Sequence, residues 1–309
     1  MAEPPTRRTS LRHAQAAVVP CAMAVLGWFA LRQANVIAPR GSHWYLLLAL
    51  AALQASILCF AARLRFSLRA FSVQLSTRDS AIVALQSLFY FFIPLSIGTD
   101  IARLLKIRAR DPSATRTTVL AAVLFDRATA AIACATIAAA TLPLIPSIQL
   151  AIPSIETRKG GLWFVALAVA AAVSLAALWR FAGRKVQGLA QLIWRRGFIL
   201  NTLACLGLSF LTQIAAILAV WCGFQWVGSP VQTAAISLGV TGGAIAQVIP
   251  LSIAGAGPGE VTAGLLLGAA GATTDQAILL ATMVYFCKLI GGIEGGLLEW
   301  PPIAGRLCR

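Results

Sequence analysis

Phe89-Tyr-Phe-Phe-Ile-Pro94-Leu-Ser-Ile-Gly98-Thr-Asp100-Ile-Ala-Arg103 is an apolar run that stops at a proline and resumes as a polar, charged segment. Proline removes a backbone donor and glycine relaxes the backbone, so residues 94–98 are the expected turn. Its central words return in the second half of the chain. Pro250-Leu-Ser-Ile253 echoes Pro94-Leu-Ser-Ile97, and Gly255, Gly257 and Gly259 follow before an acid, Glu260. The predicted frame is two broken helices, one in each half, facing each other.

The rest of the composition supplies the solvent. Of 309 residues, 59% are hydrophobic and 11% charged, with a mean hydropathy of +0.83. These values lie outside the soluble range and indicate a polytopic membrane protein. The 25 Lys and Arg against 10 Asp and Glu give a net charge of +15. They sit in short clusters between apolar runs, which is the pattern of cytoplasmic loops and of attraction to anionic headgroups, not of nucleic-acid binding. The seven cysteines show no C-x-x-C spacing and are expected as small buried hydrophobes. His13 and His43 make no metal pattern, and no nucleophile elbow or phosphate loop is present. No catalytic residue, metal or cofactor is therefore expected.

A full span needs about 20 apolar residues. Residues 14–31, 44–62, 117–142, 162–181, 198–222 and 276–300 meet that need. Between the second and third, Arg63, Arg65, Arg69 and Arg78 alternate with Leu64, Phe66, Leu68 and Phe71, which suits an interfacial segment along headgroups. The loop after residue 100 is basic again, with Arg103, Lys106, Arg108, Arg110 and Arg116. Two successive basic loops belong on one side. Residues 80–107 are therefore expected to enter the membrane, turn at 94–98 and leave by the same face, and residues 233–270 to do so from the outer face. The fold class expected is an all-α polytopic membrane protein with about six full spans plus two re-entrant helical hairpins. Residues 1–13 form a basic cytoplasmic tail and residues 14–309 one transmembrane domain. Its halves, 14–142 and 162–300, are inserted with opposite orientation as an inverted repeat, and both termini are cytoplasmic.

A charge at bilayer depth costs about 2.5 to 3.5 kcal/mol on insertion scales, so each requires a partner or a purpose. Asp126 and Arg127 are adjacent, roughly 100° apart on a helix, and must look to different partners; Arg127 is placed to meet an acid from a hairpin. Asp100 and Arg103 share a face. Lys288 and Glu294, in the last span, lie roughly 120° apart. That span also reads Gly291-Gly-Ile-Glu294-Gly-Gly296, two overlapping G-x-x-x-G spacings for close approach of another helix, internal or from a second copy. The candidate headgroup-binding or translocation residues are Ser96, Asp100, Arg103, Asp126, Arg127, Ser252, Gly257, Glu260, Lys288 and Glu294. They fit either of two roles: internal salt bridges holding hairpins to spans, or a site in which half-helix amides and basic side chains grip an anionic headgroup.

The two hairpin stretches, Ile93-Pro94-Leu-Ser-Ile-Gly98-Thr-Asp100-Ile-Ala-Arg103 and Ile249-Pro250-Leu-Ser-Ile-Ala-Gly255-Ala-Gly257-Pro258-Gly259-Glu260, together with Phe125-Asp126-Arg127, resemble a known family. It is the flippase-like integral membrane family defined by the transmembrane region of lysylphosphatidylglycerol synthases. This chain has Gly98-Thr99 where members usually show two glycines before the aspartate, and Pro258 where a longer residue is common before Gly-Glu. The resemblance implies an inner-membrane protein that moves or presents lipids, without enzymatic activity of its own. The partners it implies are membrane lipids, for which the residues above favour an anionic headgroup, and a lipid-modifying enzyme or glycosyltransferase, for which a non-transporting accessory role is the alternative.

Overall fold

The computed structural model describes residues 40–92, 98–146, 196–247 and 257–299, and all regular structure among them is helical. Helix α1 is His43–Ala70, opened by Ser42, whose hydroxyl accepts the Trp44 N–H. It closes on Ser72 in the left-handed region (φ 62°), with the Val73 N–H on Leu68 O and the Ser72 N–H on Arg69 O. These are the two bonds that retire the orphan carbonyls of a last turn. Helix α2, Thr77–Phe89, starts on Ser76 and runs into a 3-10 turn at Tyr90–Phe92. Helices α3, Gly98–Arg110, and α4, Arg116–Thr141, follow, the latter capped by Thr115 and extended by a 3-10 turn at Leu142–Leu144. In the second half come α5, Arg196–Val227, α6, Thr233–Ala246, α7, Pro258–Ala269, and α8, Thr274–Glu299.

Four of these helices, His43–Ala70, Arg116–Leu144, Gly197–Val227 and Thr274–Glu299, are long and apolar enough to cross a membrane. They coincide with the four expected spans that fall in the described residues; residues 14–31 and 162–181 lie outside them. No more than 33% of the residues in the most apolar stretch of each are buried, and large apolar side chains such as Leu58, Leu120, Leu211 and Ile278 are exposed, a surface suited to hydrocarbon. Helices α2, α3, α6 and α7 have 13, 13, 14 and 12 residues. At about 1.5 Å per residue each covers roughly 20 Å, short of a hydrocarbon core of about 30 Å. The expected turns themselves, at residues 93–97 and 248–256, lie outside the described residues.

Packing is crossed between the halves. Helix α1 lies along α5, α2 packs on α8, and α6 packs on α4; each following short helix rests on its own next long one, α3 on α4 and α7 on α8. Leu64, Leu68, Val83, Ile107 and Val119 form one core among α1 to α4, and Phe224, Ile236, Leu267 and Leu280 a second among α5 to α8. The glycines of α8 serve the contact with α2: a Cβ on Gly295 would stand 2.3 Å from Leu85 O, a backbone atom that cannot yield without parting the helices. Gly295→Ala is therefore expected to cost about 1 to 3 kcal/mol and to lower the thermal midpoint in detergent. Gly207→Ala on α5, where nothing lies within 4 Å, is expected to leave it unchanged or slightly raised.

One expectation is corrected here. Arg63 does not lie along headgroups in an interfacial segment; α1 continues through it, and Arg63 is 4% exposed. The reason is a counter-charge reaching it from α4.

Candidate functional site

That counter-charge is Asp126. Its Oδ1 accepts from Arg63 Nε at 2.7 Å and from the Ser67 hydroxyl at 3.0 Å; its Oδ2 accepts from Arg63 Nη2 at 3.0 Å and Arg103 Nη1 at 3.1 Å. Arg63 also donates to the Ser209 hydroxyl on α5, and Arg103 donates to the Ser87 hydroxyl on α2. The Phe60 ring lies beneath both guanidiniums, at 5.5 and 4.8 Å. The Asp126 side chain is 1% exposed. One carboxylate facing two guanidiniums thus ties five helices together, with both of its oxygens occupied by protein. Such a cluster repays the cost of taking charges out of water only because every member is satisfied.

Arg127, the next residue, turns to a different partner, as the helical step requires. It makes a two-point contact with Asp100, Nε to Oδ1 at 3.0 Å and Nη2 to Oδ2 at 2.8 Å. The Arg127 and Asp100 side chains are 36% and 23% exposed. Asp100 is the third residue of α3, so the pair sits where the first-turn amides of that helix are unsatisfied by the helix itself.

The second half of the chain holds an acid–base pair of its own. Glu260 is the third residue of α7, after Pro258 and Gly259, and its Oε2 accepts the Gly257 N–H at 2.9 Å. Its Oε1 pairs with Lys288 on α8, whose Nζ lies 4.9 Å from the centre of the Phe91 ring. Acid and base are 27 positions apart in the first half and 28 in the second. In both halves the acid opens a short helix and the base comes from the long helix that follows.

Of the residues singled out from sequence, Asp100, Arg103, Asp126 and Arg127 are thus brought together by α3 and α4, and Gly257, Glu260 and Lys288 by α7 and α8. Glu294 belongs to neither group: it accepts from Gln54 Nε2 on α1. Ser96 and Ser252 lie outside the described residues. Sequence reasoning missed Arg63, Ser67, Ser87 and Ser209. The available signal was Phe60, Arg63 and Ser67 recurring on one helical face across the expected end of the span.

Apolar outside and ionised inside, the arrangement takes hydrocarbon as its solvent, and the protein is a multi-pass membrane protein. More narrowly, it belongs to the family described as the lysylphosphatidylglycerol synthase TM region, whose model matches residues 14–293. No curated protein and no solved structure matches the chain.

Proposed function

We propose that the protein translocates a phospholipid, glycolipid or similar amphiphile across the cell inner membrane, holding an anionic headgroup between its two hairpins while the acyl chains stay in the bilayer. The observation that carries this reading is the matched placement of two acid–base pairs, the partly exposed Asp100–Arg127 and the deeper Glu260–Lys288, each at the start of a helix too short to span. A phosphate reaching either pair meets a cation beside first-turn amides, the two groups best suited to its oxygens. The sealed Asp126 cluster, by contrast, holds the helices that present Arg127. Membership of a lipid-associated membrane family supports the same reading.

In this account α2–α3 and α6–α7 are re-entrant hairpins from opposite faces, the halves are inverted copies, and both termini are cytoplasmic. The equal spacing of Thr77 from Thr233 and of Pro94 from Pro250 supports it, as does the crossed packing of α2 on α8 and α6 on α4. Single cysteines at positions 78 and 108 are expected to label from the same side with an impermeant maleimide; labelling from opposite sides would remove the first hairpin. The activity itself is tested in proteoliposomes with fluorescent anionic, aminoacylated and polyprenyl lipids. Transbilayer exchange faster than in protein-free vesicles for at least one class is expected, and exchange at the protein-free rate for all of them would overturn the reading.

A further inference from the structure

The two acid–base pairs occupy equivalent places but differ in chemistry. In the first half the base is an arginine, gripping its acid at two points. A guanidinium stays protonated in proteins, so Arg127 is a fixed charge. In the second half the base is a lysine with a single contact to Glu260, and the other carboxylate oxygen is spent on the Gly257 N–H. The pair is also deeper, with side chains 15% exposed for Lys288 and 10% for Glu260, against 36% and 23% for Arg127 and Asp100.

Among the described residues no third charged side chain bonds to this pair; Glu294, six residues beyond Lys288 on α8, is held by Gln54 of α1. On α8, Tyr285 is within reach of the Glu260 charge and Cys287 flanks Lys288. Helix α6, packed on α7, brings the amide of Gln247 against Gly259 and contains no charged residue. Helix α5 has none beyond Arg196. Those of α2, Arg78 and Asp79, stand in its first turn, where Asp79 pairs with Arg110. In the 3-10 turn after α2, the Phe91 ring centre lies 4.9 Å from the ammonium. A one-to-one carboxylate and ammonium is neutral as it stands. The Asp100–Arg127 pair is likewise one-to-one, and the one positive charge in excess in the first half lies in the buried cluster of Arg63 and Arg103 on Asp126.

We propose that Glu260–Lys288 is a proton-binding site that makes the second half receptive to an anionic headgroup. This rests on the translocation reading above. A proton from solvent bonds to Glu260 Oε1, the ion pair with Lys288 Nζ breaks, and the site changes from neutral to a single positive charge. The freed ammonium, still protonated, then holds a phosphodiester oxygen. When the headgroup leaves, Glu260 releases the proton and recaptures Lys288. Proton and lipid monoanion enter together, so that the occupied site is again neutral, which low-dielectric surroundings favour.

The test uses the full chain in dodecylmaltoside micelles, in weakly buffered solution with a pH indicator, titrated with short-chain phosphatidylglycerol or phosphatidylcholine. Tryptophan fluorescence follows binding. Phosphatidylglycerol is expected to draw about one proton per chain from solution and phosphatidylcholine none. In Glu260→Gln the uptake is expected to vanish, and in Lys288→Arg, which grips the carboxylate at two points, to fall. Glu260→Asp, which keeps a titratable acid, is expected to retain uptake and guards against loss by misfolding. Phosphatidylglycerol binding with no proton uptake, or undiminished uptake in a folded Glu260→Gln protein, would overturn the proposal while leaving translocation standing. Absence of transbilayer exchange in proteoliposomes would instead overturn translocation.

Discussion

Asp126→Ala is expected to deprive the protein of a stable fold. The substitution leaves Arg63 and Arg103, side chains 5% and 4% exposed, without their counter-charge. Breaking a buried pair by removing one partner costs about 3 to 5 kcal/mol, a large part of a stability of about 5 to 15 kcal/mol. Fluorescence-detected size exclusion in detergent is expected to show aggregated protein and little monodisperse peak. The same physics predicts a rescue. Replacing all three charges together, Arg63→Met, Arg103→Met and Asp126→Leu, removes the desolvation cost along with the attraction, so the triple variant is expected to recover most of the peak. A monodisperse Asp126→Ala protein with an unchanged thermal midpoint would show that the cluster does not hold the bundle.

Arg127→Ala is expected to do the reverse, slowing transport while sparing the fold, and Lys288→Ala to slow transport at some cost in stability, because it leaves the buried Glu260 unpaired. Arg127 is 36% exposed and bonded to one acid, the circumstance in which an ion pair contributes only about 0 to 1 kcal/mol to stability. A charge-assisted hydrogen bond to a ligand is worth about 1.5 to 3 kcal/mol, so each loss is expected to slow lipid exchange by roughly tenfold to a hundredfold. The thermal midpoint should stay close to the parent's for Arg127→Ala and fall for the deeper Lys288→Ala. Exchange within twofold of the parent for both variants would place the headgroup elsewhere.

The contrast between Asp126 and Arg127 also marks how far sequence carries in a chain of this kind. Spans were legible because hydrocarbon demands long apolar runs, and all four that fall in described residues became helices. The helical step told that neighbours Asp126 and Arg127 part company, and the acid that Arg127 meets is Asp100, in the first turn of α3. Which neighbour becomes a sealed joint and which stays open was not legible. That depends on Arg63 arriving from a helix 63 positions away, and periodicity assigns faces to a helix without assigning partners to the faces. Arg63 was concealed by its own context, since Arg-Leu-Arg-Phe also satisfies an interfacial segment. The glycines of α8 announced a close contact, and only packing identified α2 as the helix received, with Leu85 O against Gly295. Glu294 met the general rule that an intramembrane charge needs a partner, but its partner is Gln54, outside both acid–base pairs.

The central claim, that a headgroup lodges between the two pairs, is tested most directly by a phosphatidylglycerol carrying a photoreactive diazirine on its headgroup. The lipid is incorporated into proteoliposomes of the full-length protein, irradiated, and its adducts are mapped by mass spectrometry. The account predicts adducts in the first turns of α3 and α7 and around Arg127 and Lys288. Adducts confined to outward-facing residues such as Leu200 and Leu211, 68% and 53% exposed on α5, would contradict it.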